Sequence, residues 1–336
     1  MKLLMRLSLF KKQKGVALIT VLMILAIMVA VAAGMTGRLV ASLKRTEGLV
    51  HSQGAYWYAQ AAADMGEMVL DDDFADSKIV SLDQNWATPD MVFPLDNGSI
   101  AGTLKDMRSC FNVNALRAPD KEGKRPLALK QFQALLEALS LDDYRAEMIA
   151  DSTRDWIDKE KKSSGAQGAE DDFYSGLRPA YLTGNQLMID ISELRTVQGV
   201  GVEIFKRISP YLCAIPSDKQ LINVNTIAED QPQILQALFE GDDKETPLSV
   251  DNFKELLKDR PTSGWESVDK FLAEPALSSV EVSDELKKQL RISSDFFQLN
   301  GTIEFEDRLL SVKLLFKVEN KKSKMIRYQS GGLGAQ

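Results

Sequence analysis

The longest apolar run of the chain lies near its beginning. Between Val16 and Met35, only Thr20 and Gly34 fall outside the strongly apolar residue types. A helix of twenty residues rises about 30 Å, which matches the hydrocarbon core of a bilayer. The pattern therefore predicts one membrane-spanning helix over residues 16–35.

Positive charge precedes this run. Three lysines within residues 11–14 predict that this end stays in the cytoplasm and that the body of the chain is exported. Three interpretations of the N-terminus remain open on this basis. They are a secretory signal peptide cleaved near residues 30–32, an uncleaved signal anchor, and a prepilin-like leader. Such a leader would be cut after Gly15 and would leave Val16 as the first mature residue.

A helical pattern continues beyond the apolar run, and no proline interrupts it. Leu43, Val50 and Trp57 recur every seven residues, and Leu39 lies beside them on the same stripe. We therefore predict one helix from Val16 to about Leu70, roughly 80 Å long. A secretory signal would instead be followed by an extended cleavage stretch, so the pattern favours the prepilin-like leader.

The rest of the chain predicts strands on either side of a mainly helical region. Residues 71–95 are acidic and irregular, and residues 99–107 are strand-like. Three alternating stretches near the C-terminus predict an antiparallel meander, with turns at Glu306-Asp307 and Glu319-Asn320. These stretches are residues 296–305, 309–318 and 324–329. Helical patterns lie between, at residues 127–158, 190–212, 226–239, 249–258, 266–273 and 283–290.

This order of elements predicts an α+β fold class. The long N-terminal helix would pack on an antiparallel sheet, and a large α-helical domain would be inserted between the strands of that sheet.

The charge distribution suits an exported body. The net charge is −7, yet residues 1–15 carry five basic residues and no acid, which leaves −12 for the remainder. Such a body is a poor general binder of nucleic acid, because phosphate contacts need clustered lysine and arginine.

The N-terminal sequence KKQKG-VALITVLMIL resembles the leader and first helix of type IV pilin-like proteins. Most of these proteins carry a glutamate at the fifth mature position, where this chain has Thr20. That departure is typical of the K-type minor pseudopilin of the bacterial type II secretion system, which the whole chain resembles. The other fragments that carry the resemblance are residues 110–114, 155–158, 168–171, 192–195 and 222–226.

This resemblance implies a division of the chain and a role. The expected parts are a prepilin leader (1–15), a transmembrane helix (16–35), a pilin-like head (36–112 and 291–329), a helical insertion (113–290) and a flexible tail (330–336). Prepilin peptidase would cut after Gly15 and methylate Val16. The mature protein would sit in the inner membrane with its body in the periplasm. It would be a non-enzymatic subunit that meets I-type, J-type and other pseudopilins at the tip of a filament, in part through the stripe from Leu39 to Trp57.

An acidic segment, residues 151–172, is the clearest candidate for chemistry. Its carboxylates flank a loop that contains Gly165 and Gly168, and hard oxygen ligands in a flexible loop suit Ca²⁺. The residues alone favour a solvated loop that pairs with Lys159, Lys161 and Lys162. The resemblance implies calcium instead. The candidate ligands are then Asp155, Asp158, Glu160, Glu170, Asp171 and Asp172.

The only cysteines are Cys110 and Cys213. In an exported body they should form a disulfide, which would close a long loop; two separate buried thiols are the alternative.

The sequence also suggests two alternative functions. Residues 194–208 have the spacing of a helix–hairpin–helix, so a membrane-anchored DNA-uptake component is the alternative function. An enzyme is the weaker rival. The only histidine, His51, lies on the long helix, and the common nucleophile, zinc and nucleotide motifs are absent from the sequence.

Overall fold

A computed structural model describes residues 15–95, 98–119, 124–242, 248–305 and 308–332. The predicted leader lies outside these residues apart from Gly15, and so does the predicted turn at Glu306-Asp307. The chain divides into two compact units, with the boundary between Tyr58 and Ala59.

The first unit is helical from Val16 onward. Helix α1 spans Val16–Asp76, six residues beyond the predicted end near Leu70. Its most apolar 18-residue stretch has a mean hydropathy of 3.0, so its length and composition suit a membrane span. The side chains of the predicted interface stripe are exposed: Leu39 (61%), Leu43 (52%), Val50 (58%) and Trp57 (67%).

The second unit combines one five-stranded sheet and two short strand pairs with two helical parts. Its strands are β1 (Met91–Leu95), β2 (Gly98–Asp106), β3 (Phe111–Asn112), β4 (Leu212–Cys213), β5 (Ile222–Asn223), β6 (Leu290–Arg291), β7 (Phe296–Phe305), β8 (Arg308–Glu319) and β9 (Lys322–Gly332). Its further helices are α2 (Leu127–Ala138), α3 (Asp143–Ile157), α4 (Asp171–Ser175), α5 (Val202–Ile208), α6 (Gln233–Glu240), α7 (Val250–Lys258), α8 (Val268–Leu272) and α9 (Asp284–Gln289).

The main sheet has the order β1-β2-β7-β8-β9, and every neighbouring pair is antiparallel. The predicted meander near the C-terminus is present as β7, β8 and β9. Two expectations need correction. Strand β1 lies in the segment predicted to be irregular, where Phe93 pairs with Ile100 of β2. Strand β9 continues to Gly332, so the predicted flexible tail begins at least three residues too early.

One face of this sheet packs on the end of α1. Alternate residues of the central strands are buried, among them Leu104, Phe297 and Leu314. The helix backbone comes close to the sheet at Gly66, where a Cβ added to the glycine would lie 2.8 Å from the ring of Phe316. Phe74 adds an edge-to-face contact with Phe297, with ring centroids 5.7 Å apart. The α+β fold predicted from the sequence is confirmed.

The helical insertion contains two hydrophobic cores. The first is built on α2 and α3 and includes Phe111 and Phe132, whose rings stack with centroids 5.4 Å apart. The second is built on α6 and α7 and includes Phe239 and Phe253. Sequence periodicity predicted one helical domain, because it cannot show which helices share a core.

Both cores begin with the same short sequence, Asn-Val-Asn. In the first, β3 pairs in parallel with β4, and the Asn114 side chain donates to the carbonyls of Met188 (2.9 Å) and Ile215 (2.8 Å). In the second, β5 pairs in parallel with β6, and the Asn225 side chain bonds to both backbone groups of Trp265. Each core is therefore closed by a strand pair and a buried asparagine amide.

The first strand pair also carries a disulfide. Cys110 and Cys213 are joined with their Cα atoms 5.8 Å apart, and both residues are buried. They pack with Met107, Ile215 and Leu315, so the bond lies where the insertion meets the sheet.

A fully enclosed carboxylate lies at the other junction. Asp106 ends β2 and is 2% exposed. Its Oδ2 accepts hydrogen bonds from the hydroxyls of Thr226 (2.5 Å) and Ser294 (2.6 Å) and from the Asn223 amide (3.2 Å). Its Oδ1 accepts from the backbone N–H of Arg108 at 2.7 Å. The carboxylate therefore links the sheet to both ends of the second helical part.

We predict that Asp106→Asn destabilises the protein by about 3 kcal/mol, since an amide cannot accept all of these hydrogen bonds and leaves buried hydroxyls unpaired. The measurement is urea unfolding of the purified protein in detergent. Asp259→Asn, at an exposed position, is the matched control and should leave the free energy of unfolding nearly unchanged. Equal stability of the two variants would contradict the assigned role of Asp106.

Candidate functional site

The acidic segment begins on helix α3. The Asp142 side chain caps the helix by accepting from the backbone N–H of Arg145 at 3.1 Å. Asp151, Asp155 and Asp158 are spaced four and three residues apart, which places them along one helical face. All three are buried, at 0%, 0% and 8% exposure. Three carboxylates are thus directed into the protein.

An aromatic cluster holds the loop that follows this helix. The ring of Trp156 makes edge-to-face contacts with Tyr174 (5.4 Å) and Tyr181 (6.1 Å). The hydroxyl of Tyr174 accepts from the backbone N–H of Gln198, and burial raises the pKa of Tyr174 to about 12. The backbone N–H of Asn185 donates to the carbonyl of Trp156 at 2.9 Å. These contacts return the chain to the acidic face and bring Glu170 near it.

The buried carboxylates are incompletely hydrogen bonded. The Oδ1 of Asp155 accepts from the Ser164 N–H at 2.9 Å, whereas its Oδ2 is buried without a hydrogen-bond partner. Both carboxylate oxygens of Glu170 are likewise buried without a hydrogen-bond partner among the residues that the structure describes. Burial, together with repulsion from neighbouring carboxylates, raises the pKa of Asp155 to about 6 and that of Glu170 to about 7. Asp155 and Glu170 therefore favour the binding of a proton or another cation.

The predicted ligands divide into two groups. Asp155, Asp158 and Glu170 are buried together, while Glu160 and Asp172 are exposed. Asp171 is partly exposed, and its Oδ1 accepts from the hydroxyl and the N–H of Thr183, which lowers its pKa. Within the described ranges, no group of three or more His, Cys, Asp and Glu side chains has an arrangement that could hold a metal ion.

Sequence reasoning did not include Asp151 among the ligands. Asp151 is fully buried, and its Oδ1 lies 2.8 Å from a guanidinium nitrogen of Arg125. Asp151 lies four residues before Asp155 on α3, and this spacing alone could have placed it on the same helical face. The partner of Asp151 is distant in sequence, so the ion pair could not be predicted.

Two glycines let the loop backbone approach these carboxylates. A Cβ at Gly168 would clash with Oδ2 of Asp155, and a Cβ at Gly165 would clash with Oδ2 of Asp151. Gly165 also has φ +55°, a left-handed conformation that favours glycine. The loop is therefore wrapped closely around the acidic face.

The glycine-turned hairpin considered for DNA binding serves packing. Gly199 has φ +82°, and a Cβ at this position would lie 2.7 Å from Met148 and 3.0 Å from Ile149 of α3. The turn is thus pressed against the helix that carries the acidic face, which does not favour the DNA-binding alternative.

Two sequence profiles described as "Type II secretion system (T2SS), protein K" match residues 109–217 and residues 222–293. These ranges coincide with the two helical cores. The type II secretion system protein K of Aeromonas hydrophila is 39% identical over 331 residues, covering 96% of this chain and 98% of its own length. That of Pectobacterium carotovorum is 35% identical and covers 96% of this chain and 97% of its own length. This chain belongs to the type II secretion system protein K family.

A solved structure supports the same assignment. A chain in the crystal structure of the GspK-GspI-GspJ complex from enterotoxigenic Escherichia coli superposes with a TM-score of 0.77 at 34% identity. The match covers 85% of this chain and 99% of that chain. The protein is accordingly a minor pseudopilin of the type II secretion system, as its N-terminal sequence predicted.

The raised pKa values of Asp155 and Glu170 predict a pH dependence of stability in the absence of added metal. The folded state holds protons more tightly than the unfolded state, so the two carboxyl groups contribute stability at low pH. This contribution is lost as the pH rises from 3.8 to about 6 for Asp155 and from 4.5 to about 7 for Glu170.

The measurement compares urea unfolding of the parent protein and Asp155→Asn/Glu170→Gln in chelator across this range. The stability of the parent relative to the variant should fall as the pH rises. A difference that is constant with pH, or that grows in favour of the parent, would contradict the raised pKa values.

Proposed function

We propose that this protein stands at the tip of the pseudopilus, where it initiates or caps assembly for protein export across the outer membrane. Its structural neighbour comes from a complex of three minor pseudopilins, and we extend partners of the I and J type to this chain. The mature helix has Thr20 where the resemblance to pilin-like proteins leads us to expect a glutamate. A buried membrane carboxylate needs a pairing partner, so this subunit lacks one contact to a neighbour.

The two helical cores supply the second argument for the tip. They add residues 109–293 between the strands of the pilin-like sheet. A filament lattice subunit does not need this bulk, and a bulky head obstructs a further subunit above it. We assign no catalytic step to the protein, since its role is assembly. We place it in the inner membrane through residues 16–35, with the body in the periplasm.

The exposed stripe of α1 gives the test of this assembly role. Purified with I-type and J-type pseudopilins, the protein should form a complex of fixed size and no polymer. Leu43→Glu or Val50→Glu should weaken the complex about 100-fold, because each substitution would bury an unpaired charge. The affinity can be measured by titration in detergent.

Arg45→Glu is the matched control, because residue 45 lies on the opposite side of the helix from Leu43. It should change the affinity little. Labelling that located the protein at regular intervals along the filament shaft would overturn the tip assignment, even with the complex intact.

The start of α1 supports cleavage of a prepilin leader after Gly15. Gly15 has φ +104°, and the helix starts at the next residue, Val16. We expect prepilin peptidase to cut between them and to methylate the new N-terminus. Intact-mass measurement of the membrane-extracted protein should find Val16 with one methyl group; a mature N-terminus near Ala33 would instead indicate a secretory signal peptide.

We also propose that the acidic face binds Ca²⁺. The unpaired oxygens of Asp155 and Glu170 carry this proposal, and Asp158 lies beside them. Because these side chains are not arranged as a metal site in the structure, the proposal requires their oxygens to converge when the ion binds. The ion would then supply positive charge that offsets their repulsion. Glu160, Asp171 and Asp172 are the more exposed candidates for the remaining ligands.

Calcium should therefore raise the melting temperature of the protein. Mass action predicts about 2.7 kcal/mol of added stability when calcium is present at 100 times its dissociation constant. Glu170→Gln should abolish most of the shift, whereas the surface control Asp259→Asn should retain it. Identical melting temperatures in calcium and in chelator would reject the proposal.

A further inference from the structure

A group of basic side chains lies on the face of the sheet that is turned away from α1. Register places Lys105 of β2 opposite Gln298 of β7, Gln298 opposite Leu315 of β8, and Leu315 opposite Arg327 of β9. Lys313 of β8 lies in the next row, opposite Asn300. Cross-strand neighbours on one face can reach each other, so three basic side chains share this part of the sheet.

These side chains line a cleft of about 120 Å³ between the sheet and the first helical core. The core contributes Asp190 and the segment Leu212–Ala214, next to the disulfide. The floor is continuous with the cluster formed by Leu315, Met107 and the two cysteines. We call this feature the basic cleft.

The positive charges of the basic cleft are only partly compensated. Lys313 pairs with Asp190 at 3.3 Å, and Arg327 makes a long contact to the Ala214 carbonyl at 3.5 Å. Among the residues that the structure describes, the ammonium group of Lys105 has no hydrogen bond or ion pair. The charges of Asp106 and Asp230 attract Lys105 without forming an ion pair, and the carboxylate of Asp106 is already engaged by four donors.

Burial penalises both outer cations of the row. It lowers the pKa of Lys105 and the pKa of Arg327 relative to their ordinary values. Lys105 is only partly buried, so an anion placed against its ammonium group would offset the part of its hydration that burial removes. The three cations stand out in a body whose charge outside residues 1–15 is −12.

The remaining lining indicates which anion fits. Met107, Ile191 and Leu212 supply apolar walls, and Gln298 and Asn300 supply amides. A phosphate or sulfate ion has no apolar atoms to place against such walls, whereas a carboxylate on a short hydrocarbon stem has both parts. The volume corresponds to about four water molecules, which suits one acidic side chain or a small organic acid.

We infer that the basic cleft is a binding site for a carboxylate carried on a short hydrocarbon stem, with Lys105 and Lys313 as its charge partners. The carboxylate can come from a free organic acid or from an acidic side chain of another polypeptide. This site is separate from the acidic face on α3 and does not depend on calcium.

The test uses propionate as the probe and propionamide, its uncharged isostere, as the control ligand. The full chain in detergent is titrated at constant ionic strength and fixed calcium, with the melting temperature as the readout. Propionate should raise the melting temperature saturably, and propionamide should not. Lys105→Met and Lys313→Met should each weaken the apparent affinity about tenfold, which is the loss expected for one charge-assisted hydrogen bond.

Lys324→Met removes an exposed lysine of β9 outside the cleft and should bind propionate as the parent does. Circular dichroism of each variant checks that it folds, and using two cleft variants guards against the failure of one. An equal response of the parent and both cleft variants to propionate, or an equal response to propionamide, would overturn the inference.

A second arm identifies the source of the carboxylate. If the cleft receives an acidic side chain from a partner pseudopilin, propionate should compete with formation of the tip complex, and Lys105→Met should weaken that complex about tenfold. If a free acid is the ligand, the complex should form equally well with and without propionate, while binding of propionate is still lost in Lys105→Met. Each of these outcomes supports the cleft and names its occupant.

Discussion

The buried carboxylate of Asp106 is the interaction on which the arrangement of sheet and insertion depends. It accepts hydrogen bonds from a backbone amide, an asparagine side chain and two hydroxyls, which come from three separate stretches of sequence. Hydrogen bonds to a charged acceptor contribute roughly 1.5–3 kcal/mol each, and a buried charge is tolerated only when its bonding capacity is filled. Removal of any one stretch would leave the charge underbonded, so the network fixes where the second helical core begins and ends relative to β2. Arg108 extends the junction through a two-point ion pair with Asp295 (2.7 and 3.1 Å).

The repeated Asn-Val-Asn sequence shows how a sheet can accept a large insertion without losing its register. Each core leaves and rejoins the sheet region through a two-residue parallel strand pair, and each has a buried asparagine at its start, which bonds to Ile215 next to the returning strand in the first core and to Trp265 inside the second. Both ends of each core are thereby tied together close to the sheet. The central pairing of β2 with β7 then spans nine residue pairs even though the two strands are far apart in sequence. The insertion adds bulk while the pilin-like sheet keeps continuous pairing.

The elements that were predictable from sequence are those whose pattern is local. The apolar run predicted the start of α1, and the strand-like stretch at residues 296–305 predicted β7. Strand β1 was missed because Pro94 and the acidic residues before it are typical of a loop; the strand exists because β2 offers it a paired edge. Strand β9 was predicted too short, since Gly331 and Gly332 lack strand propensity and are held by pairing with β8.

For the acidic segment, composition identified the candidate ligands but not their environments. Whether Asp155 is buried and Glu160 exposed depends on the aromatic cluster and on Gly168, which belong to tertiary packing.

Buried carboxylates in this protein differ in how completely they are hydrogen bonded. This difference distinguishes a carboxylate that stabilises the fold from carboxylates that are candidates for binding a ligand. Asp106 has donors on both oxygens, and these hydrogen bonds offset part of the effect of burial, which still raises the pKa of its carboxyl group. Asp155 and Glu170 are also buried, yet within the described part of the chain three of their four carboxylate oxygens have no hydrogen-bond partner. A folded domain could avoid this cost with neutral side chains, because replacing buried charges by well-packed apolar groups is often neutral or stabilising. The cost is therefore built into the fold at a position where a cation would remove it.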